Sequence, residues 1–453
     1  MALTILCISF TILLILGLPV AVAIALSCIL TFVSEGFPFE LAIQNMISGM
    51  NVFSFLAIPF FIFSGELMLH GGIADKIVTF ARNLVGHWRG GLGMANVVAC
   101  TIFGGISGSP TADVSAMGGV MIPMMKKEGY SADYAVNVTT HAALAGAIMP
   151  TSHNMIIYAF SAASTSGLLV GPNIMSKGVS IGDLMFAGVL PVFVLMACML
   201  VAAYWVARKN NFPRSADGTT AKVDLFPGWH AVAVSFVAAL PGMFVVLIIL
   251  TCIILGITTA TEAAGIAVTY SLILTFVFYR TMNWNKLMIA TAKAAKTTGI
   301  ILMLIGVSTI LQYMMAILEI PTLTAQMLLG MTDQPWLMFL LINLLLFFLG
   351  TFMDMAATLL ICTPLFLPIA LQMGMGPVQF GIVMLLNCAL GLNTPPVGGT
   401  QFVGCAIGGV SIEEVMKTIS PFYGALVVVT LIVTYVPWFS TWIPTLIKGV
   451  QVY

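Results

Sequence analysis

The chain has 453 residues, 60% of them apolar and only 7% charged, with sixteen Lys and Arg balancing sixteen Asp and Glu. About a quarter of the residues in an ordinary soluble domain are charged. This composition therefore excludes a soluble globular protein, a disordered chain and a nucleic-acid binder, and leaves a polytopic protein of the lipid bilayer. A spanning helix takes about 20 apolar residues, so the chain has material for roughly ten membrane elements.

Taken in order, the first apolar run, 3–33, has no basic residue ahead of it and is too long for a signal-peptide core, so it reads as one retained helix. A span at 50–72 leads to a basic segment with Lys76, Arg82 and Arg89. The run 92–125 carries Gly, Ser and Pro in its middle and reads as re-entrant, returning to the side where Lys126 and Lys127 follow. Spans near 134–160 and 183–207 reach the one long polar stretch, 208–228, with Arg208, Lys209, Arg214 and Lys222. Spans near 229–255 and 259–280 reach Arg280, Lys286, Lys293 and Lys296. Then come 297–320, a second interrupted run at 336–371, and spans near 381–408 and 420–444. The basic stretches 74–90 and 283–296 read either as interfacial amphipathic helices or as charged loops. With Lys417, fourteen basic residues face one side in this threading, and Lys177 and Lys448 the other. The positive-inside bias makes the majority side cytoplasmic, with the N-terminus inside and the C-terminus outside. The eight cysteines lie in or beside apolar runs without a CxxC or Cys/His cluster, which reads as packing. No P-loop, GxSxG or HExxH motif is present.

The interrupted runs repeat. Gly105, Ala112, Pro123, Gly129, Gly146, Pro150 and Ser166 recur 245 residues later as Gly350, Ala357, Pro368, Gly374, Gly391, Pro395 and Ser411. An odd number of crossings between the halves inverts the second. The fold class expected is an all-α polytopic membrane protein, an inverted repeat with two re-entrant hairpins and two broken helices. That pattern is the signature of a secondary transporter whose site lies where the breaks meet.

Non-helical backbone at membrane depth must line a protected polar cavity or bury itself in protein. Four breaks are legible: Gly104–Thr111, Gly146–Ser152, Gly350–Asp354 and Gly391–Thr400. Ser107, Ser109 and Thr111 populate the first, Thr151 and Ser152 the second, Thr394 and Thr400 the fourth. Hydroxyls and freed carbonyls form a hard-oxygen site for a small cation, and helix N-termini offer N–H groups to an anion. Asp113 and Asp354 lie within a few residues of a break, where an intramembrane acid is a functional candidate by default. Glu262 reads equally as helix-dipole complement or functional acid, Glu66 and His141 as structural, and His153–Asn154 as a candidate solute contact. No Lys or Arg falls within a break. An anionic solute would then be held by backbone dipoles, hydroxyls, amides and a bound cation.

The segments IPFFIFSGELMLHGGIADKIVTFARNLVG, FGGISGSPTADVSAMGGVMIP, MPTSHNMIIYAFSA, TATEAAG, GTFMDMAATLLICTPLFLP and NTPPVGGTQFVGCAIGGVSIEEV resemble, over essentially the whole length, the large membrane subunit of tripartite ATP-independent periplasmic (TRAP) transporters. The resemblance implies a sodium-coupled importer of an organic acid in the bacterial inner membrane, working as an elevator. Its solute, a C4-dicarboxylate or a sugar acid such as sialic acid, would arrive from a periplasmic substrate-binding protein, and a small four-helix membrane subunit would brace the chain. The coupling ion implied is Na+. Carried over by motif, one sodium site is similar to Ser107, Ser109, Asp113, Gly146, Met149 and Ser152, and the other to Gly350, Asp354, Gly391, Thr394 and Pro395. Solute contacts are implied at Ser109, Pro110, Thr111, His153, Asn154, Asn393 and Thr400. Ser152, His153 and Asn154 after MPT resemble members that take sugar acids, and MPT departs from the commoner double proline. The implied domains are scaffold and arm helices (1–91), a first transport half (92–182), scaffold with the cytoplasmic linker 208–228 and the start of the second repeat (183–335), a second transport half (336–412) and a C-terminal scaffold helix (413–453). Two rivals are a stand-alone sodium/carboxylate transporter of the same architecture and an intramembrane aspartyl protease using Asp113 and Asp354. The chain lacks the GxGD context of such proteases, and no catalytic residue is assigned.

Overall fold

A computed structural model describes residues 2–166, 179–212, 226–395 and 398–448. Lys177, Arg214 and Lys222 of the basic pattern, and Pro396 within the fourth break, lie outside the described residues. All the regular elements described are helical.

The run 3–33 is divided into α1 (Ala2–Ile15) and α2 (Val20–Ser34), which pack against each other. The sequence predicts one helix there. Leu18 precedes Pro19, and the residue before a proline is pushed out of the helical region, so the chain turns. Next come α3 (Phe39–Met50) and α4 (Ala57–His70), the latter entered through the 3-10 turn Phe53–Leu56. The 74–90 stretch is largely α5 (Ile73–Val85), an amphipathic helix burying Ile73, Ile77, Phe80 and Ala81. The run 92–125 forms α6 (Gly91–Ser107) and α7 (Pro110–Lys127). Then α8 (Ala132–Ala142) tightens into the 3-10 turn Ala143–Ile148, and α9 (His153–Ser166) resumes four residues later. Three long helices follow: α10 (Ile181–Lys209), α11 (Trp229–Ile254) and α12 (Ala260–Ile273), the last continued by the π-turn Leu274–Phe278. The basic stretch 283–296 is the first part of α13 (Trp284–Ile317), a continuous helix of 34 residues. The remainder comprises α14 (Ile320–Leu329), α15 (Pro335–Gly350), α16 (Met355–Gln372), α17 (Pro377–Leu392), α18 (Gly399–Gly408), α19 (Ile412–Met416), α20 (Ser420–Tyr435) and α21 (Trp438–Lys448).

Six of the described helical segments are long and apolar enough to cross a membrane: 53–70, α10, α11, 260–278, α13 and α16. One pair, α20 with α21, becomes a further span when joined across a bend of 56°. Val436 is extended there because Pro437 follows it. The two re-entrant hairpins expected at 92–125 and 336–371 are not what is found among the described residues, since this single bent pair lies elsewhere. The arms α6, α7, α15 and α16 have 16 to 18 residues each. At 1.5 Å per residue that is about 24–27 Å, most of the hydrocarbon thickness, so each arm is close to membrane length by itself.

The repeat is present in the element boundaries. Adding 245 to the bounds of α7 gives 355–372, the bounds of α16. Gly129 and Gly374, which follow these two helices, both adopt a left-handed backbone, with φ of 87° and 88°. Packing is reciprocal as well: α7 lies on α18 while α16 lies on α9, and α4 lies on α12 while α13 lies on α2. The interior is built on α6, α8 and α17, which are buried along nearly their whole length, whereas α11 exposes Val234, Val237, Phe244 and Leu247 as a lipid-facing surface would.

The basic segments converge. Arg82 pairs with Glu128 at 2.9 Å, beside Lys126 and Lys127. Arg89 donates to Asn211 at 2.7 Å, beside Arg208 and Lys209. Lys76 sits 4.0 Å from the ring centroid of Tyr279, beside Arg280. Four segments distant in sequence thus occupy one end of the molecule.

Candidate functional site

Helix α6 stops at Ser107 because Gly108 turns left-handed, with φ 63°. A Cβ on Gly108 would strike the backbone of Thr151 and Ser152, so the turn presses directly on the opened segment between α8 and α9. Ser109 is extended ahead of Pro110, and Pro110 opens α7 at the position where its missing N–H costs nothing. Met149 is likewise extended ahead of Pro150, which ends the 3-10 turn. The Thr151 hydroxyl donates to the Gly105 carbonyl at 2.8 Å and ties the two breaks together. Ser152 caps the restart, its hydroxyl accepting from the Asn154 N–H at 3.3 Å.

Asp113, in the first turn of α7, lies at the centre of this junction and is fully buried. Its Oδ1 accepts a hydrogen bond from the Ser107 hydroxyl. Its Oδ2 is buried without a hydrogen-bond partner. That oxygen faces two glycines: a Cβ on Gly146 would sit 2.5 Å from it, and one on Gly104 would sit 3.0 Å away. Met149 borders the same junction, its Cε 3.6 Å from where a Cβ on Gly105 would lie. The structure therefore brings Ser107, Ser109, Asp113, Gly146, Met149 and Ser152 into one neighbourhood. A buried carboxylate with an unpaired oxygen costs several kcal/mol, a cost that a small cation would remove.

The second junction is built differently. Gly350 closes on Gly391: a Cβ on Gly391 would lie 2.7 Å from the Gly350 Cα. Asp354 is exposed and serves as N-cap of α16, accepting from the Ala356 N–H at 3.2 Å. Under the 245-residue repeat Asp354 is the counterpart of Ser109, and Asp113 is the counterpart of Thr358. The two acids are therefore not equivalent positions. Asn393 is buried, and neither its Oδ1 nor its Nδ2 has a partner. Thr394 bonds the Leu390 carbonyl at 2.8 Å and meets the Tyr423 hydroxyl, which donates to the Asn393 carbonyl at 2.9 Å. Thr400 is buried and donates to the Leu392 carbonyl at 2.7 Å, and Pro395 is half-buried.

A cavity of about 290 Å³ opens against the α6–α7 turn. Ser107, Ser109, Thr111 and His153 line it; of these, Ser109, Thr111 and His153 are among the solute contacts the sequence resemblance implies, and Ser107 is among the implied sodium ligands. Pro110, Asn154, Asn393 and Thr400 do not line it. The same cavity is lined by Glu66 from α4 and Lys293 from α13, neither of which the sequence marks as a site residue. Glu66 gave a signal, an acid inside an apolar run. Lys293 gave none, because a lysine among Lys286 and Lys296 reads as part of a surface group. His141 is packed, as expected, with Nδ1 2.8 Å from the Asn137 carbonyl and its ring against Phe422 and Tyr423. Glu262 is resolved as a helix cap, forming a capping box with Thr259. Among the described residues no group of three or more His, Cys, Asp or Glu is placed to hold a metal ion.

Fold and junctions together define a helical membrane transporter. Residues 7–439 match the family described as tripartite ATP-independent periplasmic transporter, DctM component, and the chain belongs to it. It is a transport protein and not an enzyme. It is 38% identical to the uncharacterized protein YgiK of Salmonella typhimurium, over 97% of this chain and 96% of that protein. It is 33% identical to the C4-dicarboxylate TRAP transporter large permease protein DctM of Vibrio cholerae, over 97% and 96%. In fold alone it is similar to the YdaH transporter of Alcanivorax borkumensis, with a TM-score of 0.61 at 13% identity, covering 88% of this chain and 87% of that one.

Proposed function

We propose that this chain is a sodium-coupled importer of an acidic organic solute, acting as an elevator in the bacterial inner membrane. The observation that carries the sodium reading is Asp113: a buried carboxylate with one unpartnered oxygen facing Gly104 and Gly146 where two breaks meet. Na+, the coupling ion, suits such hard-oxygen donors. A second ion is assigned to the Gly350–Gly391 junction, with Asp354, Thr394 and Pro395 beside it. The acid solute lies in the cavity at the α6–α7 turn, and the similarity to a C4-dicarboxylate permease supports that class. Sugar acids, sialic acid included, are the other solute class in view.

The reciprocal packing of α7 with α18 and α16 with α9 supports a moving block of 92–182 and 336–412, related by an inverted repeat and framed by 1–91, 183–335 and 413–453. The end where the basic segments meet is assigned to the cytoplasm. The N-terminus is placed inside and the C-terminus in the periplasm. The partners are a small four-helix membrane subunit and a periplasmic substrate-binding protein. Uptake in proteoliposomes holding both membrane subunits tests the reading. A sodium gradient with binding protein outside is expected to drive accumulation. Accumulation driven by a proton gradient in sodium-free buffer would reject the ion assignment. Full activity without the binding protein would favour a stand-alone carboxylate transporter.

A further inference from the structure

The hydroxyls that line the cavity bring no positive charge to an acid solute. Among the described residues Lys293 is the one Lys or Arg lining it. It is exposed, and among the described residues its ammonium makes no hydrogen bond or ion pair. It lies nine residues into α13, about 14 Å from the helix start. Glu66, half-buried on α4, lines the same cavity, and its Oε2 has no hydrogen-bond partner. His70 approaches that oxygen at 3.5 Å.

Building on the acid-transport reading, we propose that Lys293 is a specificity-determining residue that contacts an acid group of the solute from the α13 wall. The hydroxyls of Ser109 and Thr111, which line the same cavity, contact it as well. A lysine ammonium is a compact charge on a flexible four-carbon stem, suited to a carboxylate or sulfonate without demanding the planar fit of arginine. Glu66, on the same cavity lining, keeps the lysine's charge partly compensated when no acid is bound.

The test is calorimetric titration of the purified membrane complex in nanodiscs at saturating sodium, with succinate, isethionate and N-acetylneuraminate as probes. Lys293→Gln is expected to weaken the acid that binds by about tenfold to a hundredfold, the worth of a hydrogen bond to a charged group. Lys293→Arg is expected to restore most of that affinity. Sodium affinity without solute is expected to match wild type in both variants. Wild-type acid affinity in Lys293→Gln would overturn the proposal, and so would a parallel loss of sodium affinity, which marks a structural role. Failure of wild-type protein to bind any of the three acids would instead overturn the acid-transport reading beneath it.

Discussion

Asp113 and Asp354 look alike in the sequence, each an acid beside a broken apolar run, but their surroundings separate them. Asp113 is buried, bonded on one oxygen and unpaired on the other, so a charge there is costly unless a counter-ion compensates it. Asp354 is an exposed cap whose carboxylate is partly used by the Ala356 N–H. Asp113→Asn is therefore expected to raise the sodium concentration for half-maximal uptake at least about tenfold, the effect of losing one charged ligand. Asp354→Asn is expected to shift it less and to leave the cap in place, because an asparagine oxygen accepts from the Ala356 N–H as well as a carboxylate does. Uptake measured against sodium concentration decides this, and equal shifts in the two variants would contradict it. Lys293 teaches the reverse lesson. Its spacing places it in a charged group, and only the packing of α13 against α4 turns it toward the cavity.

At the scale of elements, proline explains most of the interruptions. Ser109, Met149 and Val436 are all extended, each because a proline follows. Pro123 and Pro368 have no such effect and remain inside α7 and α16. Composition alone does not distinguish the two kinds. The repeat is sharper than the matched residues show, because Gly129 and Gly374 share a left-handed backbone. Gly129→Ala and Gly374→Ala are each expected to destabilise by about 1–2 kcal/mol, from the cost of a Cβ in that conformation. Thermal unfolding of both variants checks the symmetry, and a loss confined to one of them would show that the two turns are not equivalent.

At the scale of the whole molecule, the elevator reading needs a sliding contact between the α6–α7 turn and the scaffold. Gly65 on α4 supplies one: a Cβ there would lie 3.2 Å from the Ser107 Cα. Gly65→Leu is expected to act as a wedge, lowering uptake at least about tenfold, as overpacking of a close contact would. Uptake at the wild-type rate in this variant would show that the contact is not on the transport path. Phe55 against Phe160, with ring centroids 4.5 Å apart, is a second contact across the same boundary.

The sequence by itself determined the class, the repeat and four of the places where helices break, but not the breaks near Pro19 and Pro437. Those follow from apolar run length, prolines and recurring small residues, which are local in the chain. It also named most of the first junction, because Ser107, Ser109 and Asp113 lie within one turn. Other features waited for the tertiary structure. The division of 3–33 into two packed helices and the near-membrane length of the α6–α7 and α15–α16 arms were among them. So were the unlike roles of Asp113 and Asp354, and the wall formed by Glu66 and Lys293. The last two depend on which surfaces meet between segments distant in the chain, and burial, hydrogen bonding and charge compensation are properties of that meeting rather than of any one segment.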